Sequence, residues 1–89
     1  MVIKSEAISG THESNDVFIK IGPGIGLQIE IESIVKNQFE DAIFSAVSEV
    51  LKENGVDNCS VSVFDHGALD CVIRARTETA LIRAGGSIK

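Results

Sequence analysis

At Ser33 the hydrophobic rhythm of this chain changes period, and few folds accommodate such a change in so short a sequence. Before it, Leu27, Ile29 and Ile31 alternate with Gln28, Glu30 and Glu32, which describes a strand with one apolar and one charged face. After it, Val35, Phe39, Ile43, Ala46, Val47, Val50 and Leu51 recur at spacings of three and four, the stripe of an amphipathic helix. Ser33 is the expected N-cap of that helix, and Asn54-Gly55 its left-handed stop. Ile29 and Ile31 should therefore face Phe39, Ile43 and Val47 across a core, with Glu30 and Glu32 in solvent.

The flanking segments extend the pattern. Val17, Ile19 and Ile21 form another strand, and Gly22-Pro23-Gly24-Ile25-Gly26 reads as a turn that joins it to the strand at Leu27 in a hairpin. Residues 2–9 read as a weaker strand, followed by a polar connection from Gly10 to Asp16. Cys59, Val61 and Val63 alternate with serines as a fourth strand. Asp65-His66-Gly67 makes a turn, and Ala68 to Ala84, free of internal Gly and Pro, makes a second helix ended by Gly85-Gly86. The order β-β-β-α-β-α, with no linker or repeat, predicts a single domain over residues 1–89 of the α+β class. It is a two-layer sandwich whose sheet is covered on one face by two helices.

Charge and composition narrow the partners. The net charge is -5, and the chain has no Trp or Tyr and only four Phe, so it lacks both the basic surface and the stacking platform of a nucleic-acid binder. The acidic charge equally disfavours anionic membranes. Residues 1–65 hold eleven acids and four bases, which suits docking onto basic protein surfaces. Arg74, Arg76 and Arg83 fall in the last segment, where a solvated helix face is expected and contact with acidic groups elsewhere on the chain is the alternative. Cys59 and Cys71 lie in apolar runs and read as buried, reduced thiols; with no secretory signal and no spanning stretch, a cytoplasmic protein is expected.

Chemistry-bearing motifs are few. Gly22-Pro23-Gly24-Ile25-Gly26 lacks the Lys-Ser/Thr of a phosphate-binding P-loop and the order of a dinucleotide fingerprint, so a turn is expected. His66 near Asp65, Asp70 and Cys71 invites comparison with a Cys-His catalytic site, but a thiolate on an apolar helix face is costly, and a turn histidine with a core cysteine is the reading favoured. His12 and His66 are too few for a metal site. Gly10-Thr11-His12-Glu13-Ser14-Asn15-Asp16 is, on composition alone, an ordinary loop.

That loop gains meaning from a resemblance. Together with Ser33-Ile34-Val35-Lys36-Asn37-Gln38-Phe39 and the stretch from Asp65 to Arg76, it resembles the acyl carrier (gamma) subunit of citrate lyase along the whole chain. His12 stands where that family usually has Leu, and His66 where it usually has Lys. The resemblance implies that Ser14 carries a phosphoribosyl-dephospho-coenzyme A group through a phosphodiester, and that no residue of the chain is catalytic. It also implies three partners: a transferase (alpha) subunit, a lyase (beta) subunit and the enzyme that attaches the group. The acyl carriers of malonate decarboxylase and citramalate lyase remain alternatives. So do an unmodified interaction domain and, more remotely, a stand-alone Cys-His enzyme with an exposed Cys71.

Overall fold

Six elements follow one another in the computed structural model, which describes residues 3–33 and 40–85. Strands β1 (Ala7–Gly10), β2 (Val17–Gly22) and β3 (Leu27–Ser33) precede helix α1 (Glu40–Glu53). Strand β4 (Cys59–Asp65) and helix α2 (Asp70–Arg83) complete the chain. This is the expected α+β order, with both helices on one face of a four-stranded sheet. The alternating side chains explain why: Val17, Ile19, Ile21, Val61 and Val63 point inward and are buried with Ile43, Val47, Val50, Leu51, Ile73 and Leu81. Ile29 and Ile31 pack against that core, while Glu30 and Glu32 are exposed. Phe39, expected beside them, lies outside the described residues.

The sheet order is β1-β2-β4-β3, so the expected β2–β3 hairpin does not form. Strand β4 inserts between the two, antiparallel to β2 and parallel to β3. Residues 23–26 therefore strap over one end of β4 and span two strand spacings, about 10 Å, which four extended residues can reach. Cys59 N–H donates to the Gly26 carbonyl at 3.0 Å, and Gly26 N–H donates to Asn58 Oδ1 at 2.8 Å. A Cβ on Gly24 would lie 2.9 Å from the Cys59 carbonyl carbon, so the strap runs too close to β4 for any side chain there. Glycines that read as a hairpin turn serve instead to let one strand pass beneath the chain.

Other expectations shift by smaller amounts. Ser33 is the last residue of β3, and its hydroxyl donates to Asp65 Oδ2 at 2.9 Å. Helix α1 ends as expected: Gly55, at φ 66°, lets Gly55 N–H reach the Lys52 carbonyl and Val56 N–H the Leu51 carbonyl. The first strand is shorter than residues 2–9. Instead, Lys4 and Ser5 donate their amides to the Ala84 carbonyl at 3.0 and 3.2 Å, capping the end of α2. Helix α2 is also not a solvated arginine face. Arg74 bridges to Glu49 and Glu53 of α1, Arg76 to Asp16, and Arg83 Nη1 donates to the Ile8 carbonyl at 3.0 Å.

Candidate functional site

Where β1 leaves the sheet, Gly10 adopts φ +86°, and a Cβ there would collide with the Val17 carbonyl oxygen. Only glycine permits that departure. The chain then folds into a small, heavily bonded loop. Asp16 N–H donates to the Glu13 carbonyl at 3.2 Å, closing a reverse turn with Ser14 and Asn15 at its two central positions. Asn15 takes φ 65°, a left-handed conformation that asparagine tolerates better than most residues. Thr11 Oγ1 donates to Asp16 Oδ2 at 2.7 Å and accepts from Glu13 N–H at 3.2 Å.

The loop is also sewn to the turn after β4. Asn15 N–H donates to the His66 carbonyl at 2.8 Å, and His66 N–H to the Asp16 carbonyl at 2.9 Å. These bonds continue the β2–β4 ladder one step past the Val17–Asp65 pair. The Asp16 carboxylate is gripped by Arg76 from α2, Nε to Oδ1 at 3.1 Å and Nη2 to Oδ2 at 2.9 Å. Those bonds, the Thr11 hydroxyl and the Val17 amide outweigh partial burial and hold the Asp16 carboxyl down at about 2. Asp16 is thus a structural anchor rather than a solvated charge.

At the tip stands Ser14, exposed, its hydroxyl without a hydrogen-bond partner among the described residues. A free hydroxyl on a turn whose backbone is pinned on both sides suits covalent loading: a transferase can reach it, and no structural bond is lost when it is substituted. The charged side chain left beside it is the exposed Glu13.

The Cys-His constellation does not assemble. Cys71 is exposed in the first turn of α2, not buried as expected, because Val72 and Ile73 are the residues of that turn that face the core. The Asp65 side chain accepts from the Ala68 amide at 2.9 Å and from Ser33, and so orders the β4–α2 connection. The His66 ring meets His12, with Nδ1 of His12 and Nε2 of His66 3.0 Å apart. Cys59 is buried as expected, and burial pushes its thiol up. No group of three His, Cys, Asp or Glu side chains able to hold a metal occurs among the described residues. No helix among them is long and apolar enough to cross a membrane.

The Arg76–Asp16 pair is the alternative the sequence offers for the arginines of α2, whereas two features have no sign in the sequence: the His12–His66 contact and the aromatic bed beneath it. His12 stacks on Phe18 at 4.4 Å and meets Phe64 edge-on at 5.9 Å. Each joins residues far apart in the chain, and both depend on the β2–β4 register, which pairs Phe18 with Phe64 and has no local signal.

Residues 4–84 match the family described as malonate decarboxylase delta subunit (MdcD), a family of acyl carriers. The citrate lyase acyl carrier protein of Klebsiella pneumoniae is 50% identical over 86 residues, covering 94% of this chain and 89% of that protein. The one from Treponema denticola is 48% identical over 84 residues, covering 94% and 97%. Among solved structures, a chain of a Pseudomonas malonate decarboxylase hetero-tetramer in complex with malonate shares the fold, with a TM-score of 0.72 at 21% identity, covering 93% of this chain and 87% of that one. The chain belongs to the acyl carrier family that includes the citrate lyase acyl carrier proteins and the malonate decarboxylase delta subunit.

Proposed function

We propose that this protein is the acyl carrier subunit of a citrate lyase complex, loaded on the Ser14 hydroxyl with phosphoribosyl-dephospho-coenzyme A through a phosphodiester. The observation that carries the reading is the exposed, unpartnered Ser14 hydroxyl on a rigid turn, in a chain half identical to citrate lyase carriers. The bound group would supply a thiol on a long arm that holds acetyl and citryl as thioesters. The chain's own residues position rather than react. Gly10 sets the loop's exit from β1, Asp16 and Arg76 lock it to α2, and Asn15 fixes the turn that presents Ser14. Tethering keeps the thioester at high effective concentration near its partners, and the carrier needs no acid or base of its own.

The partners in this reading are the transferase (alpha) and lyase (beta) subunits and the enzyme that attaches the group, all in the cytoplasm. Citrate lyase is favoured by carriers of that enzyme that are 45% to 50% identical over 94% of this chain. Intact mass of the protein from its native host, followed by peptide mapping, tests the loading. One prosthetic group on the peptide that contains Ser14 is the expected result. An unmodified chain in an active complex would leave only an interaction domain.

A further inference from the structure

We propose that the His12–His66 imidazole pair is the hydrogen-bonding partner of the phosphodiester at Ser14; this rests on the loading reading above. A phosphodiester there is a permanent anion in an awkward place. The adjacent Glu13 is an exposed carboxylate, and Arg76, the cation nearest in the loop's own bonding, is committed to Asp16 through two nitrogens. In residues 11–18 and 59–69, which flank the site, His12 and His66 are the only side chains able to carry positive charge. Both belong to backbone segments that border Ser14. His12 precedes Ser14 by two residues, and His66 bonds through its carbonyl to the amide of Asn15, the next residue after Ser14.

The pair is also arranged to donate. His12 is held flat on Phe18, with an interplanar angle of 22°, and His66 meets it at 82°. The 3.0 Å contact between Nδ1 of His12 and Nε2 of His66 uses one N–H of the two neutral rings. Whichever ring donates, the other ring keeps its N–H on the nitrogen that points away from the contact. His12 Nε2 and His66 Nδ1 have no partner among the described residues, so that N–H is free for a phosphate oxygen. A single added proton leaves the internal bond intact and turns both outward nitrogens into donors, one formally cationic, which strengthens the bond to an anion. Two histidines 54 residues apart thus meet in one contact and act as one feature.

The test uses the loaded protein, its modification confirmed by intact mass, and two kinds of nuclear magnetic resonance. Phosphodiester and pyrophosphate groups do not ionise between about pH 5 and 8, whereas imidazoles ordinarily titrate near 6.5. The other charged groups around the loop are the carboxylates of Glu13, Asp16 and Asp65 and the Arg76 guanidinium; as classes, carboxylates ordinarily titrate below that window and guanidinium groups above it. The phosphorus resonance of the Ser14 phosphodiester should therefore move with pH through the imidazole range in the wild-type chain. It should stay flat in the His12→Gln, His66→Gln double variant. Imidazole nitrogen spectra of the wild-type chain, which need no variant, should differ at His12 Nε2 or His66 Nδ1 between the unloaded and loaded forms. Mass on Ser14 with a pH-independent phosphorus resonance, or with identical imidazole spectra, would overturn the pairing while leaving the loading intact. Absence of mass on Ser14 would overturn both.

Discussion

Arg76 holds Asp16 through two nitrogens, 3.1 and 2.9 Å from its two carboxylate oxygens, and so ties helix α2 to the loop that presents Ser14 across sixty positions of chain. The same carboxylate accepts from Thr11 and from the Val17 amide, so four bonds of one side chain set the shape of the loop. With the backbone already laddered to His66, the turn is fixed from below and from the side. In the proposed reading, the mobility a carrier needs would then reside in the arm rather than in the protein.

Removing the clamp should loosen that turn without unfolding the domain. Arg76→Ala should lower stability by about 1–2 kcal/mol, the range of charge-assisted hydrogen bonds reduced for a guanidinium that is 40% exposed. Amide exchange at Asn15 and His66 should accelerate more than at core positions such as Val61. Uniform acceleration over both regions would mean that Arg76 supports the whole fold and has no local role at the loop.

Acid titration separates the charge of Asp16 from its shape. Its carboxyl is depressed from an ordinary 3.8 to about 2 in the folded chain. Because the folded value lies below the unfolded one, the stabilisation is fully present above about pH 4 and is lost as pH falls toward 2. Comparing wild type with Asp16→Asn by denaturant unfolding, the difference in stability should be largest at neutral pH and shrink below pH 4. A difference that stays constant over this range would assign Asp16 a neutral packing role.

How much of this was legible beforehand depended on whether the signal was local. The period switch near Ser33, the Asn54-Gly55 stop and the alternation around Val61 each sit within one element, and each gave the right element. Strand adjacency does not have a local signal. Gly22 to Gly26 announces that the chain reverses, but a strap over β4 and a tight hairpin need similar residues. Cys71 was misplaced for a related reason: its apolar neighbours Val72 and Ile73 face the core, while the first turn of α2 carries Cys71 outward. Ser14 could be singled out only through the resemblance, because an exposed hydroxyl in a polar loop has no pattern of its own.

The strap topology makes a graded prediction for three glycines. Gly26→Ala meets no atom within 4 Å and should cost only the left-handed backbone term, about 1 kcal/mol. Gly24→Ala drives a methyl against β4 backbone at 2.9 Å and should cost more, although its φ is not left-handed. Gly10→Ala combines φ +86° with a collision against Val17 and should be the worst of the three. Denaturation midpoints in the order Gly26→Ala, Gly24→Ala, Gly10→Ala, from most to least stable, are expected. A neutral Gly24→Ala would contradict the strap over β4.

The two thiols should separate cleanly in kinetics. Folded protein without the arm, treated with an alkylating reagent, should take up one equivalent quickly at exposed Cys71, with Cys59 protected until the core opens. Labelling of Cys59 should therefore follow unfolding in denaturant, while Cys71 should not. Two fast equivalents would mean that the β3–β4 end of the sheet opens readily in the native state.

The decisive substitution is Ser14→Ala. No described residue bonds to the Ser14 hydroxyl, while the turn around it is held by backbone and by the neighbours Thr11, Asn15 and Asp16. An exposed loop change of this kind usually alters stability by less than about 0.5 kcal/mol, so the melting temperature should stay near wild type. If the hydroxyl is the attachment point, the added mass and all acyl transfer should vanish together in the variant, with the amide spectrum otherwise unchanged. Ser9 is the nearest other serine, and it lies buried in β1 at 2% exposure, out of reach of a modifying enzyme. Ser14→Ala that still gains the mass would move the arm to another residue. Loss of the mass accompanied by loss of folding would make Ser14 a structural residue, which its free hydroxyl argues against.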